Sequence, residues 1–159
     1  LGKAKEDLEM TANKLNTTLQ SIYQGEALIS SSKAVVTKAS VFIPRMPIYV
    51  SCLFDVMERH GVHESILHHK YRLFKDMVYG NQRILDNEGR IRLDHREMDE
   101  RIQHETIKMM TDLTDDQIFE LEGTKRFIDE FYQIHGFKYP QIDYQKEVDL
   151  EDLGQLTLK

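Results

Sequence analysis

The segment HESILH carries His63 and His68, with His60 and His69 close by. Two histidines four apart share one helical face and can hold a zinc ion. Here the spacing is five, which turns the second ring about 140° from the first. The histidines therefore read as solvated helix residues, and no metal site is expected. DNEGR (Asp86 to Arg90) looks like the start of a calcium loop. The ordered series of oxygen ligands such a loop needs does not follow, so it reads as a polar turn. Cys52 is the single cysteine, which excludes an intrachain disulfide and a cysteine zinc site. Its apolar neighbours make it a small core residue rather than a nucleophile. The acids of TDLTDDQIFELE suit the positive end of a capped helix. No Gly-rich phosphate loop, paired carboxylates or Ser-His-Asp order stands out. Lys5 remains.

Lys5 lies on a helical pattern. Leu1, Ala4, Leu8, Ala12, Leu15, Leu19 and Ile22 recur at three- and four-residue steps, the mark of one apolar face. Lys5 falls at the edge of that stripe, beside Leu1, Leu8 and Ala12, while Lys3 and Lys14 face away. Gly25 ends the segment. ALIS then reads as a short buried strand, with KAVVT extending it or opening a loop. Pro47 and Gly61 bracket a run that is apolar nearly all round, a buried helix over 47–60. A further helix is expected over HESILHHKYRLFKDMVY, then a turn-rich connector, GNQRILDNEGRIRLD. Helical patterns resume at about 96–110, 114–121 and 123–135, with Thr114 and Gly123 as boundary signals. The tail from Gly136 reads as irregular. A lone strand cannot satisfy its own edges, so it is expected to join a sheet formed elsewhere.

Composition narrows the classes. The 159 residues are 40% hydrophobic and 30% charged, with net charge −6, as in a globular domain. An acidic balance argues against bulk binding to nucleic acid or an anionic membrane. No apolar run approaches the ~20 residues of a membrane span. A reducing, cytoplasmic setting is the default for such cysteine usage.

LGKAKEDLEMTANKLN, SKAVVTKASVFIPRMPIYVSCLFDVMERHGVHESILHHKYRLF, DNEGRIRLD and LTDDQIFELEGTKRFIDEFYQIHGF occur in that order. Together they resemble the C-terminal part of the trans-2-enoyl-CoA reductases and the related FabV-type enoyl-acyl-carrier-protein reductases. The most specific parts are AVVTxAS…IP…P and the GxHE after the buried helix. The resemblance implies an α/β fold: the helix-rich C-terminal portion of a Rossmann-like, extended short-chain dehydrogenase type reductase. One or two strands and about six helices would fall in this chain. Residues 1–159 would be part of a single reductase domain whose N-terminal, dinucleotide-binding half is absent here. The implied cofactor is NADH, and the substrate is the trans-2 double bond of an enoyl-CoA or enoyl-ACP in fatty acid synthesis.

The family's catalytic pair is a tyrosine and, nine positions on, a lysine. Matching GKAK to that pattern puts the lysine at Lys5 and the tyrosine upstream of residue 1. The resemblance gives Lys5 a bond to the nicotinamide ribose and a charge that lowers the tyrosine's pKa. It sets Ala34, Val35, Val36 and Thr37 along the nicotinamide end, at the carboxyl edge of the strand. Glu6 follows the lysine as in the CoA-type branch, which leans toward CoA thioesters. Arg45 stands where an apolar residue is common, which bears on local packing. By itself this chain is expected to be inactive and to need the missing half as partner. The rival reading is a non-enzymatic helical interaction module, or a decayed split-gene product, with a self-contained core.

Overall fold

The computed structural model describes residues 2–147. In chain order the elements are α1 (Gly2–Tyr23), β1 (Ser30–Ser31), α2 (Lys38–Val41), α3 (Met46–Arg59), α4 (Ile66–Arg72), a π-helical stretch (Leu73–Val78), β2 (Ile91–Arg92), α5 (Glu100–Asp112) and α6 (Glu122–Gln133). This is an α/β fold with six helices and a two-stranded sheet among the described residues.

A helix that is apolar on nearly every side must be covered on nearly every side. α3 starts with Pro47 in its first turn and runs into Gly61 at φ 65°. On one side Val50 and Phe54 pack with Val36 and with Phe127 of α6. On the other, Leu53, Val56 and Met57 pack with Ile102 of α5. Each such side chain gains about 1.5–3 kcal/mol on burial. An exposed ion pair such as Arg126–Glu58 adds only about 0–1 kcal/mol, so apolar cover fixes α3. Cys52 is fully buried in the same helix, and burial, then the nearby Asp55 carboxylate, pushes its thiol up. It is a core residue.

β1 is shorter than ALIS and displaced toward its end. Its partner comes from the segment read as a connector: Ser30 pairs with Ile91 and Ser31 with Arg92, in parallel. The Ile91 amide donates to the Ile29 carbonyl at 2.8 Å and the Leu93 amide to the Ser31 carbonyl at 3.0 Å. Beneath the pair, Ile91 and Leu93 pack with Met77 of the π-helical stretch. DNEGR is the turn that returns the chain into β2. The Asp86 carboxylate accepts the amides of Glu88 and Arg90 and the Arg90 guanidinium, with Gly89 at φ 75°. Burial would raise that carboxyl, but the Arg90 amide and guanidinium outweigh it and hold it at about 2.

Three helical expectations need correction. The helix expected from His63 begins at Ile66, where the Ser65 hydroxyl caps the His68 amide. It ends as α-helix at Arg72 and then widens. No helix forms at 114–121, where short turns link Thr114, Gln117 and Glu120. Phe119 is exposed there, and a few residues without a packing face cannot repay helix nucleation. Finally, α1 does not lay its apolar stripe on the body. Its least exposed positions are Glu9, Ala12, Asn16 and Leu19, while Leu8, Leu15 and Ile22 stay more than half exposed. Polar contacts select that face: Glu9 pairs with Arg90 at 2.8 Å, and Asn16 accepts the Ala27 amide at 3.1 Å. Leu1 and the tail beyond Glu147 lie outside the described residues; 136–147 is irregular, as expected.

Gly123 sets the closest approach of α6 to α3. A Cβ there would overlap the Ser51 carbonyl oxygen and the Asp55 amide. Alanine favours a helix over glycine by up to about 1 kcal/mol, while overpacking costs about 1–3 kcal/mol. Gly123→Ala is therefore expected to lower the unfolding free energy in a denaturant titration. An unchanged or higher midpoint would show that α6 can lift away freely.

Candidate active site

Lys5 and the carboxyl end of β1 face one cleft. Lys5, Leu8 and Glu9 of α1 line it with Ile29, Ser30–Ser32, Arg90 and Asp94, around about 350 Å³. That is the lower end of small-molecule sites. Open α/β sheets bind ligands just beyond their strands' carboxyl ends. The donors here are an ammonium, serine hydroxyls and a guanidinium. An ammonium and hydroxyls suit a sugar diol, so these residues fit the ribose end of a dinucleotide.

Ala34–Thr37 run on from the same strand end, but the cleft's lining stops at Ser32. Val36 is buried in the core against Val50, Phe54 and Phe127. Ala34 and Val35 are half-buried and Thr37 is exposed. Thr37 caps α2: its Oγ1 accepts the Ser40 amide at 3.1 Å, and its own amide donates to Ser40 Oγ at 2.8 Å. The Thr37 hydroxyl hydrogen remains able to donate to a ligand, because capping uses only a lone pair.

Beneath this segment lies a charged cluster. Lys33, Glu64, Glu97 and Glu130 are each less than a tenth exposed. Arg72 forks onto Glu64, Nε to Oε2 at 3.1 Å, and also donates to the Leu93 carbonyl at 2.9 Å. His69 lies 3.1 Å from Glu64 through Nδ1, and His63 lies 3.2 Å from Glu130 through Nε2. The Lys33 ammonium sits 4.8 Å above the Phe54 ring, whose edge meets His63 at 4.6 Å. Burial raises the Glu64 carboxyl, yet bonds from Arg72 and His69 and the Arg72 and Arg96 charges outweigh it, bringing it to about 2. Burial lowers His69 against the pull of Glu64. A neutral His69 then donates from Nδ1 to Glu64. Burial also lowers Lys33, opposed by Glu130, Glu97 and Glu64.

His63 and His69 are thus not solvated helix residues, as their spacing suggested. His68 alone of that segment's pair faces outward. Helical periodicity carried no sign of this, because His63 and Glu64 precede α4. The one signal was the adjacency of histidine and glutamate just after an apolar helix, where charge must find partners.

A parallel strand pair flanked by helices is the pattern of the C-terminal portion of a Rossmann-like α/β fold. Two family models match: "Trans-2-enoyl-CoA reductase catalytic region" over residues 1–79 and "Enoyl reductase FAD binding domain" over 85–148. The chain belongs to the trans-2-enoyl-CoA reductase and FabV-type enoyl-acyl-carrier-protein reductase family. It is 40% identical to a trans-2-enoyl-CoA reductase [NADH] of Ruminiclostridium cellulolyticum, over 95% of this chain and 38% of that protein. It is 40% identical to an enoyl-[acyl-carrier-protein] reductase [NADH] of Coxiella burnetii, over 95% of this chain and 37% of that protein. The crystal structure of a Clostridium acetobutulicum trans-2-enoyl-CoA reductase in complex with NAD superposes with TM-score 0.87 at 35% identity. That match covers 98% of this chain and 40% of the other. The chain thus spans well under half the length of the relatives it matches.

Within the described residues 85–147, the two helix N-termini offer no free amide cradle for a flavin's pyrophosphate. Free amides at a helix N-terminus favour such an anion. At α5 those of Arg101 and Ile102 are taken by the Asp99 carboxylate. At α6 the Gly123 amide donates to Asp55 and the turn is closed against α3. Each place holds an anion of the protein's own.

Two outcomes follow from these geometries. Thr37→Val removes the α2 cap and is expected to cost about 1 kcal/mol, whereas Thr37→Ser keeps it. Equal melting temperatures for the two variants would remove the capping role. Glu64 has a folded pKa of about 2 against 4.5 unfolded. Its ionisation therefore stabilises the fold above pH 4.5, and that gain is lost as pH falls toward 2. Glu64→Gln is expected to flatten this acid limb and to lower stability at pH 7 by up to about 3 kcal/mol. An acid limb of wild-type slope in the variant would place the titration elsewhere.

Proposed function

We propose that this chain acts as the C-terminal part of an NADH-dependent enoyl-thioester reductase, completed by an N-terminal dinucleotide-binding portion of the same protein. The observation that carries the reading is the shared cleft of Lys5 and the carboxyl end of β1. It is supported by relatives of both kinds, one named for enoyl-CoA and one for enoyl-acyl-carrier protein, each with NADH. The uncovered apolar stripe of α1, with Leu8, Leu15 and Ile22 outward, suits a helix that packs on further structure. Among the described residues no helix is long and apolar enough to cross a membrane. A cytoplasmic setting accords with the free, buried Cys52.

When bound, NADH supplies the hydride. The chain's own residues do the rest of this half of the site. Lys5 extends a long stem from an exposed helix edge, so its ammonium can bond the ribose hydroxyls and hold the cofactor in register. Hydride addition at the β-carbon leaves negative charge on the thioester oxygen. A tyrosine hydroxyl, nine positions before Lys5 in the family pattern, would stabilise and protonate that centre. The Lys5 charge favours its phenolate form. Val35 and Val36 offer backbone groups to the carboxamide, Ala34 keeps only a carbonyl lone pair for it because Glu97 holds its amide, and Thr37 offers its hydroxyl hydrogen toward the cofactor or acyl chain.

In the complete protein, Lys5→Met is expected to lower kcat/KM for crotonyl-CoA reduction by about 100- to 1,000-fold, the usual effect of losing one preorganised charged group. NADH oxidation at 340 nm measures it. Wild-type kinetics in this variant would remove Lys5 from the site. The 159 residues alone are expected to give no turnover, and activity well above a blank would overturn the need for a partner portion.

A further inference from the structure

Ala34 is held at both of its polar backbone groups by buried charged side chains. Its amide donates to Glu97 Oε2 at 2.8 Å, and its carbonyl accepts from Lys33 Nζ at 3.3 Å. Lys33 is 5% exposed and Glu97 8%. Glu97 reaches Ala34 across 63 positions of sequence, from the loop that precedes α5. That loop is itself fixed: Gln103 Nε2 donates to the Glu97 carbonyl at 2.6 Å and bonds the Tyr49 hydroxyl of α3 at 3.1 Å. Tying down a loop needs only a neutral acceptor. Burying a carboxylate for that purpose costs several kcal/mol unless it is paired and hydrogen-bonded. The costly choice stands at the residue where the strand end turns toward the expected nicotinamide.

We propose that Glu97 is a positioning residue for the cofactor: by holding the Ala34 amide, it aims the backbone of Ala34–Thr37 at the nicotinamide carboxamide. This rests on the reading of the site given above. Glu97 does not touch the cofactor. It acts through one peptide, and Lys33 completes the clamp from the carbonyl side. The loop before α5 thereby serves the dinucleotide site without touching the dinucleotide.

The test compares two reduced cofactors in the complete protein. NADH carries the carboxamide; reduced 3-acetylpyridine adenine dinucleotide replaces its amino group with a methyl. Glu97→Ala is expected to raise KM for NADH about tenfold, the worth of one well-made hydrogen bond to a preorganised site. KM for the analogue should rise less, because it keeps the carbonyl oxygen but lacks the amino group that donates to a backbone carbonyl. Glu97→Gln keeps an acceptor for the Ala34 amide and is expected to restore most of the NADH affinity. An equal rise for both cofactors, or a lower melting temperature with neither KM changed, would overturn the positioning role. Should Glu97→Ala fail to fold, Gln103→Ala loosens the same loop and leaves the carboxylate intact. It must give the same selective rise, and its absence overturns the role equally. Lys5→Met run alongside separates the two levels. If it too leaves NADH use unchanged, the site reading has failed; if it is impaired while Glu97→Ala is not selective, only the role of Glu97 has.

Discussion

Charge buried under the strand end is the constraint around which the rest of this structure is arranged. Lys33, Glu64, Glu97 and Glu130 sit within a layer that is otherwise apolar. An isolated ion there would cost several kcal/mol, so each must face a partner, and the partners come from separate elements. Arg72 brings α4 to the end of β2 through Glu64 and the Leu93 carbonyl. His63 joins the α3–α4 loop to α6 through Glu130. Glu97 joins the α5 loop to the residue after Lys33. Phe54 stands in the middle, part of the apolar core on one side and under the Lys33 ammonium on the other. Buried ion pairs often contribute no more stability than well-packed apolar residues of similar volume. What the ions add is direction: each bond fixes one backbone group of one segment.

The same bonds show why the chain is not two independent units, although the family models divide it between residues 79 and 85. β1 finds its strand partner across that division. Arg83 reaches back to Glu26, Arg90 to Glu9, and Glu97 to Ala34. α3 is covered from both parts, by α2 from the first and by α5 and α6 from the second. Cutting at the division would leave one part with an uncovered apolar helix and the other with Ile91 and Leu93 lacking Met77. The site depends on this crossing. Lys5 and Arg90, from opposite sides of the division, line one cleft.

How much of this the sequence disclosed depended on the kind of signal. α3 was legible because its apolar run is bracketed by Pro47 and Gly61, and each signal has a direct backbone cause. α6 was legible from its pronounced apolar stripe. The strand was read from ALIS and Lys5 was named through the family pattern; the structure sets both around one cleft. β2 was hidden because IR amid DNEGRIRLD has no length of its own; pairing with β1 made it a strand. The helix expected at 114–121 had periodicity but no surface to pack on. The charged cluster was invisible for a different reason. Lys33, Glu64, Glu97 and Glu130 are far apart in sequence, and periodicity reports burial only for apolar residues. Tertiary contact is what leaves Lys33 only 5% exposed.

α1 presents the converse case, a helix placed by charge rather than by burial. None of its described residues is fully buried. Lys5 and Glu9 are four apart and so share a face. Glu9 is drawn to Arg90, and Arg90 is braced in turn by Asp86 and Glu88. The bracing matters, because a lone exposed pair contributes only about 0–1 kcal/mol and a network holds one geometry better. With Glu9 so fixed, Lys5 falls one helical turn away, over Ser30–Ser32. Asn16 fixes the far half of the helix to the Ala27 amide, just before β1. The lysine's position relative to the strand end therefore follows from two polar contacts, at Arg90 and at the Ala27 amide. Salt screens the first and leaves the second nearly untouched. Raised ionic strength therefore weakens the hold on the half of α1 that carries Lys5 before it weakens the hold on the far half.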